Sequence, residues 1–336
     1  MIDIALLGFG VIGGGVAKVL EENGDIISER LGDKLNIKYI LDLREFPDSP
    51  YASRIVHDFN IILNDPDVKI VAEMMGGVHP AADFSRAALE AGKSVVTSNK
   101  AVVADCGDEL LALAREKGVR YLFEASVGGG IPVLRPIIDD LASNKIVKIA
   151  GILNGTTNFI LTRMETTGAS YEDALREAQK LGYAEANPAA DVEGFDAARK
   201  IIILAALAYG KLIPLDKISV TGITSVTAED IAAAAKENCR IKLIAKTYIT
   251  EEGKIHCSVS PEKVPSTSLL YSVNDVFNAV EVTGNMLGEA VFYGRGAGRD
   301  ATAGAVAADI IDAAEKKFAC PPRLNWTKAA DSDIDL

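Results

Sequence analysis

Two stretches of the sequence hold residue types at spacings that chemistry needs. Gly8-Phe9-Gly10-Val11-Ile12-Gly13 is a G-x-G-x-x-G following an apolar run. Glycine is demanded three times there: Gly8 for a tight turn, Gly10 so that the backbone can approach a pyrophosphate, Gly13 so that a helix can pack close on its strand. The anion would sit on the N-terminus of the next helix, where free N–H groups and the dipole favour it. Alone the motif is weak, but here it lies between a strand and a helix at the head of an alternating segment, as a dinucleotide site requires. The second stretch is residues 182–200, where Glu185, Asp191, Glu193, Asp196 and Lys200 crowd ahead of an apolar helix. Asp196 and Lys200 are four apart and share one helical face. Such a pair is ordinarily a surface salt bridge; opening an otherwise apolar helix, it reads as facing a cleft.

The elements that must position these residues follow from periodicity. Residues 2–7 are a short apolar run ending in glycine, as a buried parallel strand does. A helix follows with Val16, Val19 and Leu20 on one face. Residues 35–42, 68–74, 94–97 and 119–124 read as further strands, with helices over 80–91 and 108–117. That alternation predicts a parallel sheet with crossover helices. Near residue 130 the pattern changes. A helix over 132–142 precedes a strand over 146–153, helices over 157–166, 170–181 and 193–209, and strands over 217–220, 242–249, 255–261 and 279–283. Strands and helices no longer alternate one for one, so this part reads as α+β. A last helix over 301–317 is expected to pack back on the first domain, followed by a loose polar tail.

Asp42 closes the second strand, where an acid binds the adenosine ribose hydroxyls and favours NAD. Arg44, two residues on, suits a ribose phosphate instead, so the cofactor is read as NADP or NAD.

The whole chain sets limits. Its 336 residues suit two domains. A net charge of -12 argues against nucleic acid or an anionic membrane as the main partner, since both need basic patches. It leaves an anionic small substrate open, because a local basic pocket is invisible in a net charge. No apolar stretch is long enough to span a membrane, and Asp3 with the early glycines argues against a signal peptide. Cys106, Cys239, Cys257 and Cys320 are scattered without close pairs, which suggests reduced thiols, no zinc site and a cytoplasmic protein.

Two later segments carry a resemblance: Asn154-Gly155-Thr156-Thr157-Asn158-Phe159, and the run Gly182-Tyr183-Ala184-Glu185-Ala186-Asn187-Pro188 continuing through Asp191, Gly194 and Asp196 to Lys200. The second closely resembles the signature of homoserine dehydrogenases. Thr97-Ser98-Asn99-Lys100 and the segment from Glu124 to Pro132 are similar to the same family. The resemblance implies a Rossmann-type α/β dinucleotide-binding domain over 1–131, completed by 296–320, and an α+β catalytic and dimerisation domain over 132–295, with a tail over 321–336. It implies hydride transfer between NAD(P) and a small substrate, interconverting aspartate semialdehyde and homoserine, in a homodimer or dimer of dimers.

Carried over residue by residue, the resemblance makes Lys200 the acid/base at the substrate oxygen. Asp196 would hold the substrate hydroxyl and orient Lys200. Glu185 would accept the substrate ammonium, a charge-assisted hydrogen bond. Gly155, Thr156, Gly182 and Tyr183 would line the pocket. Lys100 follows the fourth strand, at the end where open α/β sheets bind ligands, and would touch substrate or nicotinamide ribose. Gly76, Ser98 and Gly298 would lie along the cofactor with Gly8–Gly13. Glu124, with the carbonyls of Val127, Gly129 and Ile131, would bind sodium, as oxygen donors suit a hard cation; a plain inter-domain hinge is the other reading of that loop.

The sequence departs from the family at Asn187, where many members carry aspartate, and at Ala301, where proline is frequent. The 18 residues after about 318 leave no room for the regulatory ACT domain of many relatives. Threonine inhibition is therefore expected to be weak, competitive and non-cooperative. Two other readings fit the domain pattern: an amino-acid or aspartate-type dehydrogenase, and a non-catalytic dinucleotide sensor. The run from Gly182 to Lys200 argues against both.

Overall fold

The computed structural model describes residues 1–315 and 326–335. They form two compact units, Met1–Gly130 with Gly298–Trp326, and Ile131–Ala297 with the segment from Thr327.

The first unit runs β1 (Ile2–Leu7), α1 (Val11–Glu22), α2 (Gly24–Leu31), β2 (Leu35–Leu41), β3 (Ile55–Val56), α3 (Phe59–Leu63), β4 (Val68–Glu73), α4 (Ala81–Glu90), β5 (Ser94–Thr97), α5 (Lys100–Lys117) and β6 (Tyr121–Leu122). Its strands form one sheet in the order β3-β2-β1-β4-β5-β6, and every pairing is parallel. Strand order reverses between β1 and β4, and such a switch opens a crevice outside the carboxyl ends of the strands. Ile4, Ala5, Leu6 and Leu7 are fully buried. A strand covered on both faces has no polar alternation to show, which is why β1 reads as a continuous apolar run from Ile4 to Leu7.

The second unit runs α6 (Leu134–Ile138), β7 (Ile146–Ile152), α7 (Gly155–Thr167), α8 (Tyr171–Lys180), α9 (Ala189–Val192), α10 (Phe195–Tyr209), β8 (Lys211–Leu212), β9 (Ser219–Val220), α11 (Ala228–Lys236), β10 (Cys239–Ile249), β11 (Ile255–Pro265), β12 (Phe277–Gly284) and β13 (Gly288–Arg295). The chain then gives α12 (Arg299–Ala314) to the first unit and β14 (Thr327–Lys328) to the second. The larger sheet is ordered β13-β12-β7-β10-β11-β9, antiparallel except where β9 meets β11. The α10 residues Ile201–Ala206 are fully buried. Ala150, Ile152, Ile244, Val264 and Ala279 form a separate cluster with Leu270 and Val273.

As expected, α12 lies in the first unit, against α1: a Cβ on Gly15 would fall 3.0 Å from that of Ala303. The expected tail needs correction. Residues 321–325 lie outside those described, but 326–335 are folded. Trp326 is 4% exposed, its ring against Gly107 and Phe123. Thr327 and Lys328 ladder in parallel with Lys211 and Leu212, and Ile334, 2% exposed, bridges Ile255. Two apolar anchors in a polar stretch fix this segment; average composition hides them.

Candidate active site

In the first unit a cavity of about 590 Å³ opens at the β1/β4 switch, lined by Gly8, Gly10 and Gly76 with Asp42, Arg44, His57, Met74, Met75, Pro80 and Phe84 among others. Two glycines of the first turn, Gly8 and Gly13, are sterically required. Gly8 has φ +92, and a Cβ on Gly13 would sit 2.0 Å from the Gly8 carbonyl oxygen. Gly10 is the N-cap of α1, and no side chain caps that end. The first-turn N–H groups of α1 are thus left for an anion. Phe9 donates its N–H to Asp42 Oδ2 at 2.8 Å, and its ring meets Phe46 and Tyr51 edge-on. Val11 is exposed, and Ile12 packs on the core. Glycine cradle, uncapped helix and adjacent cavity together fit a dinucleotide.

The acid at the end of β2 does not face the cavity alone. Asp42 Oδ1 accepts the Arg44 N–H and Nε–H, each at 3.0 Å, and Oδ2 accepts Arg44 Nη2 at 2.9 Å. The Arg44 guanidinium, above all, holds the Asp42 carboxyl down at about 2. His57 Nδ1 lies 2.7 Å from the Asp42 carbonyl oxygen and Nε2 2.8 Å from Glu45, and these contacts raise its pKa.

Buried Glu73, at the end of β4, organises the next two loops. It accepts the Met75 N–H at 2.7 Å and the Thr97 hydroxyl at 2.6 Å. Asn99 donates to the Gly77 carbonyl at 2.7 Å and caps α5 by accepting the Ala101 and Val102 N–H groups. Burial pushes the Glu73 carboxyl up in pKa. Ser98 and Lys100, the residues expected along the cofactor, flank Asn99; neither they nor Gly298, the N-cap of α12, line the cavity.

In the second unit the expected proton-handling pair is brought together. Lys200 Nζ donates to Asp196 Oδ2 and to the Leu153 carbonyl, both at 2.7 Å. Lys200 is 9% and Asp196 6% exposed, so this is no surface i,i+4 pair. Asn154 clamps the acids, its Nδ2 donating to Asp191 Oδ1 at 2.7 Å and Asp196 Oδ2 at 2.8 Å. Its Oδ1 accepts the Thr157 N–H at 2.8 Å and so caps α7. Burial first, then the Asp196 charge, raises the pKa of Asp191. Thr156 donates to the Tyr183 carbonyl at 2.7 Å, tying the head of α7 to the 182–188 turn. Gly155 is glycine of necessity, since a Cβ there would lie 2.8 Å from the Val276 carbonyl oxygen. Gly182 takes φ +77, and Tyr183 and Glu185 are exposed. The Glu185 backbone carbonyl accepts Gln179 Nε2 at 3.1 Å.

The loop from Glu124 is buried through Gly129, with Gly128 and Gly129 at φ +76 and +57. The Glu124 N–H donates to Asp309 Oδ2 at 2.8 Å. Ile131 opens the second unit. No group of three or more His, Cys, Asp or Glu among the described residues could hold a metal, so a cation here would rest mainly on carbonyl oxygens.

Sequence reasoning missed Asn154 and Asp191 as partners of Asp196, although both stand inside the quoted segments, and missed Glu73 and His57 entirely. An Asn immediately ahead of a helical stretch is an N-cap signal that marks Asn154; His57 carries no local signal.

The two units match two parts of one family. The homoserine dehydrogenase family matches residues 132–311, and the homoserine dehydrogenase NAD binding domain matches residues 8–124. A homoserine dehydrogenase of Neisseria gonorrhoeae is 43% identical over 316 residues, covering 93% of this chain and 72% of the relative. The crystal structure of a homoserine dehydrogenase from Thiobacillus denitrificans superposes with a TM-score of 0.89 at 39% identity, over 94% of this chain and 73% of that one. A hyperthermophilic archaeal homoserine dehydrogenase solved in complex with NADPH gives 0.81 at 30% identity, over 95% of this chain and 99% of that one. A doubly wound sheet with a glycine cradle, a buried Asp–Lys pair, and relatives that match on both units lead to one assignment: the chain belongs to the homoserine dehydrogenase family, NAD(P)-dependent oxidoreductases acting on a CH–OH group.

Proposed function

We propose that Lys200 is the acid/base in the interconversion of L-aspartate 4-semialdehyde and L-homoserine, giving a proton to the aldehyde oxygen and taking it back from the hydroxyl. The observation that carries this is the Lys200 ammonium, buried and fixed by Asp196 and the Leu153 carbonyl at 2.7 Å each. Two of its three N–H groups are spent on orientation, and the third serves the substrate oxygen. Asp196 orients Lys200 and takes the substrate hydroxyl. Glu185 takes the ammonium, and Gly155, Thr156, Gly182 and Tyr183 line the pocket, with Lys100 a further contact to substrate or the nicotinamide ribose. The dinucleotide, when bound, supplies or receives the hydride. It lies along Gly8, Phe9, Gly10, Val11, Ile12, Gly13, Gly76, Ser98 and Gly298.

Both NAD and NADP are accepted on this reading. The Arg44 side chain, 62% exposed, is placed for a ribose phosphate, and Asp42 can exchange Arg44 for a ribose diol. Sodium held by Glu124 with the carbonyls of Val127, Gly129 and Ile131, a homodimer or dimer of dimers joined through the second sheet, and a cytoplasmic setting complete the proposal. Support for the dimer comes from β13, an edge strand whose Tyr293 is 56% exposed. Light scattering at micromolar concentration tests it, and a monomer refutes it.

The deciding experiment is homoserine oxidation followed by absorbance of the reduced nicotinamide, with NAD and with NADP. Turnover with at least one is expected, and it is lost in Lys200→Met. No turnover with either, or a Lys200→Met variant as active as the parent, overturns the proposal.

A further inference from the structure

A second lysine of the catalytic unit is more deeply buried than Lys200 and takes no part in the chemistry above. Lys242, in the middle of β10, is 1% exposed. Its Nζ donates to the Val273 carbonyl at 2.6 Å, to Asn158 Oδ1 at 3.1 Å and to Asn274 Oδ1 at 3.1 Å. All three acceptors are neutral. A buried cation held by neutral oxygens alone is costly, and a packed apolar side chain would do better for stability alone. Its presence calls for a role.

The acceptors locate that role. Asn158 sits one turn into α7, and its Nδ2 donates to the Val273 and Phe277 carbonyls at 3.2 and 3.0 Å. The Asp275 N–H donates to Thr162 on the same helix at 3.1 Å. Residues 273–277 are therefore strapped along α7, and the Val276 carbonyl presses on Gly155, the first residue of the helix, so closely that no Cβ fits. Arg240 lies two residues before Lys242, on the same face of β10. It shares Asn274 Oδ1 with Lys242, at 3.2 Å, and also reaches the Tyr271 carbonyl at 3.1 Å and Glu165 at 2.7 Å. Arg240 has a carboxylate partner; Lys242 has only the strap and Asn158.

We propose that Lys242 is a positioning residue for the substrate: its ammonium locks residues 273–277 and Asn158 together, and so fixes the Gly155–Thr156 end of α7 against which homoserine binds. This rests on the reading of Gly155 and Thr156 as pocket lining. The lock is charge-dependent, because the ammonium has three N–H donors for three acceptors and the neutral amine has two. Burial lowers its pKa to about 8; Glu165 on α7 and Asp275 on the strap oppose that, and Arg240 on β10 adds to it. The lock therefore loosens as pH rises through about 8.

The test is steady-state homoserine oxidation from pH 6.5 to 9.5 with Lys242→Met, Asn274→Ala and Thr156→Ala. Lys242→Met is expected to raise the Michaelis constant for homoserine about tenfold or more, with kcat and the dinucleotide constant within about threefold. It also loses the rise in KM that the parent shows above pH 8. Asn274→Ala removes one acceptor from the cation, so its KM begins to rise at lower pH than the parent's. A folded Lys242→Met whose KM and pH profile match the parent overturns the proposal. Should Lys242→Met not fold, Asn274→Ala decides alone, and an unmoved inflection overturns it. Thr156→Ala tests the pocket reading by itself: a homoserine KM that rises there while Lys242→Met matches the parent overturns the role of Lys242 alone, and a KM untouched in both overturns the pocket assignment together with it.

Discussion

Lys200 Nζ and the Leu153 carbonyl oxygen lie 2.7 Å apart, so the ammonium that meets Asp196 on its own helix is also pinned to the residue that follows β7. The pair is held from two elements at once, as preorganised proton transfer requires. Lys200→Ala removes the donor and leaves the dinucleotide cradle in the other unit untouched. Turnover is expected to fall by roughly 10²–10⁴, the usual worth of a positioned acid/base, with dinucleotide affinity nearly unchanged. Stopped-flow binding and steady-state rates check this; turnover within about threefold of the parent removes Lys200 from the role.

Glu185 stands on the exposed turn that Thr156 ties to α7. Glu185→Gln keeps its shape and deletes its charge. A charged hydrogen bond is worth about 1.5–3 kcal/mol, so the homoserine KM should rise roughly tenfold to a hundredfold while the dinucleotide constant holds. Equal saturation of variant and parent by homoserine excludes Glu185 as the ammonium partner.

Arg44 occupies both oxygens of the Asp42 carboxylate. Arg44→Ala takes the cation away from a ribose phosphate and frees the carboxylate for a ribose diol. The kcat/KM ratio of NAD to NADP should rise about tenfold or more, about 1.4 kcal/mol of discrimination. An unchanged ratio shows that neither side chain selects the cofactor.

Ionising Asp191 within the fold is costly, since burial and then the Asp196 charge raise its pKa above the ordinary 3.8. A raised carboxyl stabilises the fold only while protonated: that contribution is complete below pH 3.8 and is lost as pH rises through the raised value. Asp191→Asn keeps an acceptor for Asn154 and removes the repulsion. Its melting temperature should exceed the parent's at pH 7, and the advantage should shrink as pH falls toward 3.8, while turnover drops. Thermal melts across that range give the answer; a variant that melts below the parent at pH 7 contradicts the electrostatic account.

What was legible in the sequence was local. The glycines of the first turn and the four-residue spacing of Asp196 and Lys200 can be read because neighbours in sequence are neighbours in space. The acidic clamp by Asn154, the Glu73 network and the Lys242 lock join residues 24 to 84 positions apart, and no periodicity reports them. Element edges failed for specific reasons. The helix expected from 108 begins at Lys100, because the Asn99 side chain caps it. The helix expected over 132–142 spans only Leu134–Ile138. Strand β13 was not expected at all: as an edge strand exposed along much of its length, it lacks the buried alternation by which strands are found. Helix α11, not among the expected elements, carries a readable signal in its Thr227–Asp230 capping box.

The return of α12 to the first unit has a consequence for biosynthesis. The parallel sheet is complete in sequence by β6, yet the helix whose Ala303, Val306 and Ile310 pack with Val16 and Ala17 of α1 comes only after the 167 residues of Ile131–Ala297. At about 5–20 residues per second, the ribosome delivers that helix roughly 10–30 s after the sheet. Through that interval the nascent unit carries an uncovered apolar flank, an aggregation-prone surface that a polypeptide cut after Gly130 would keep permanently.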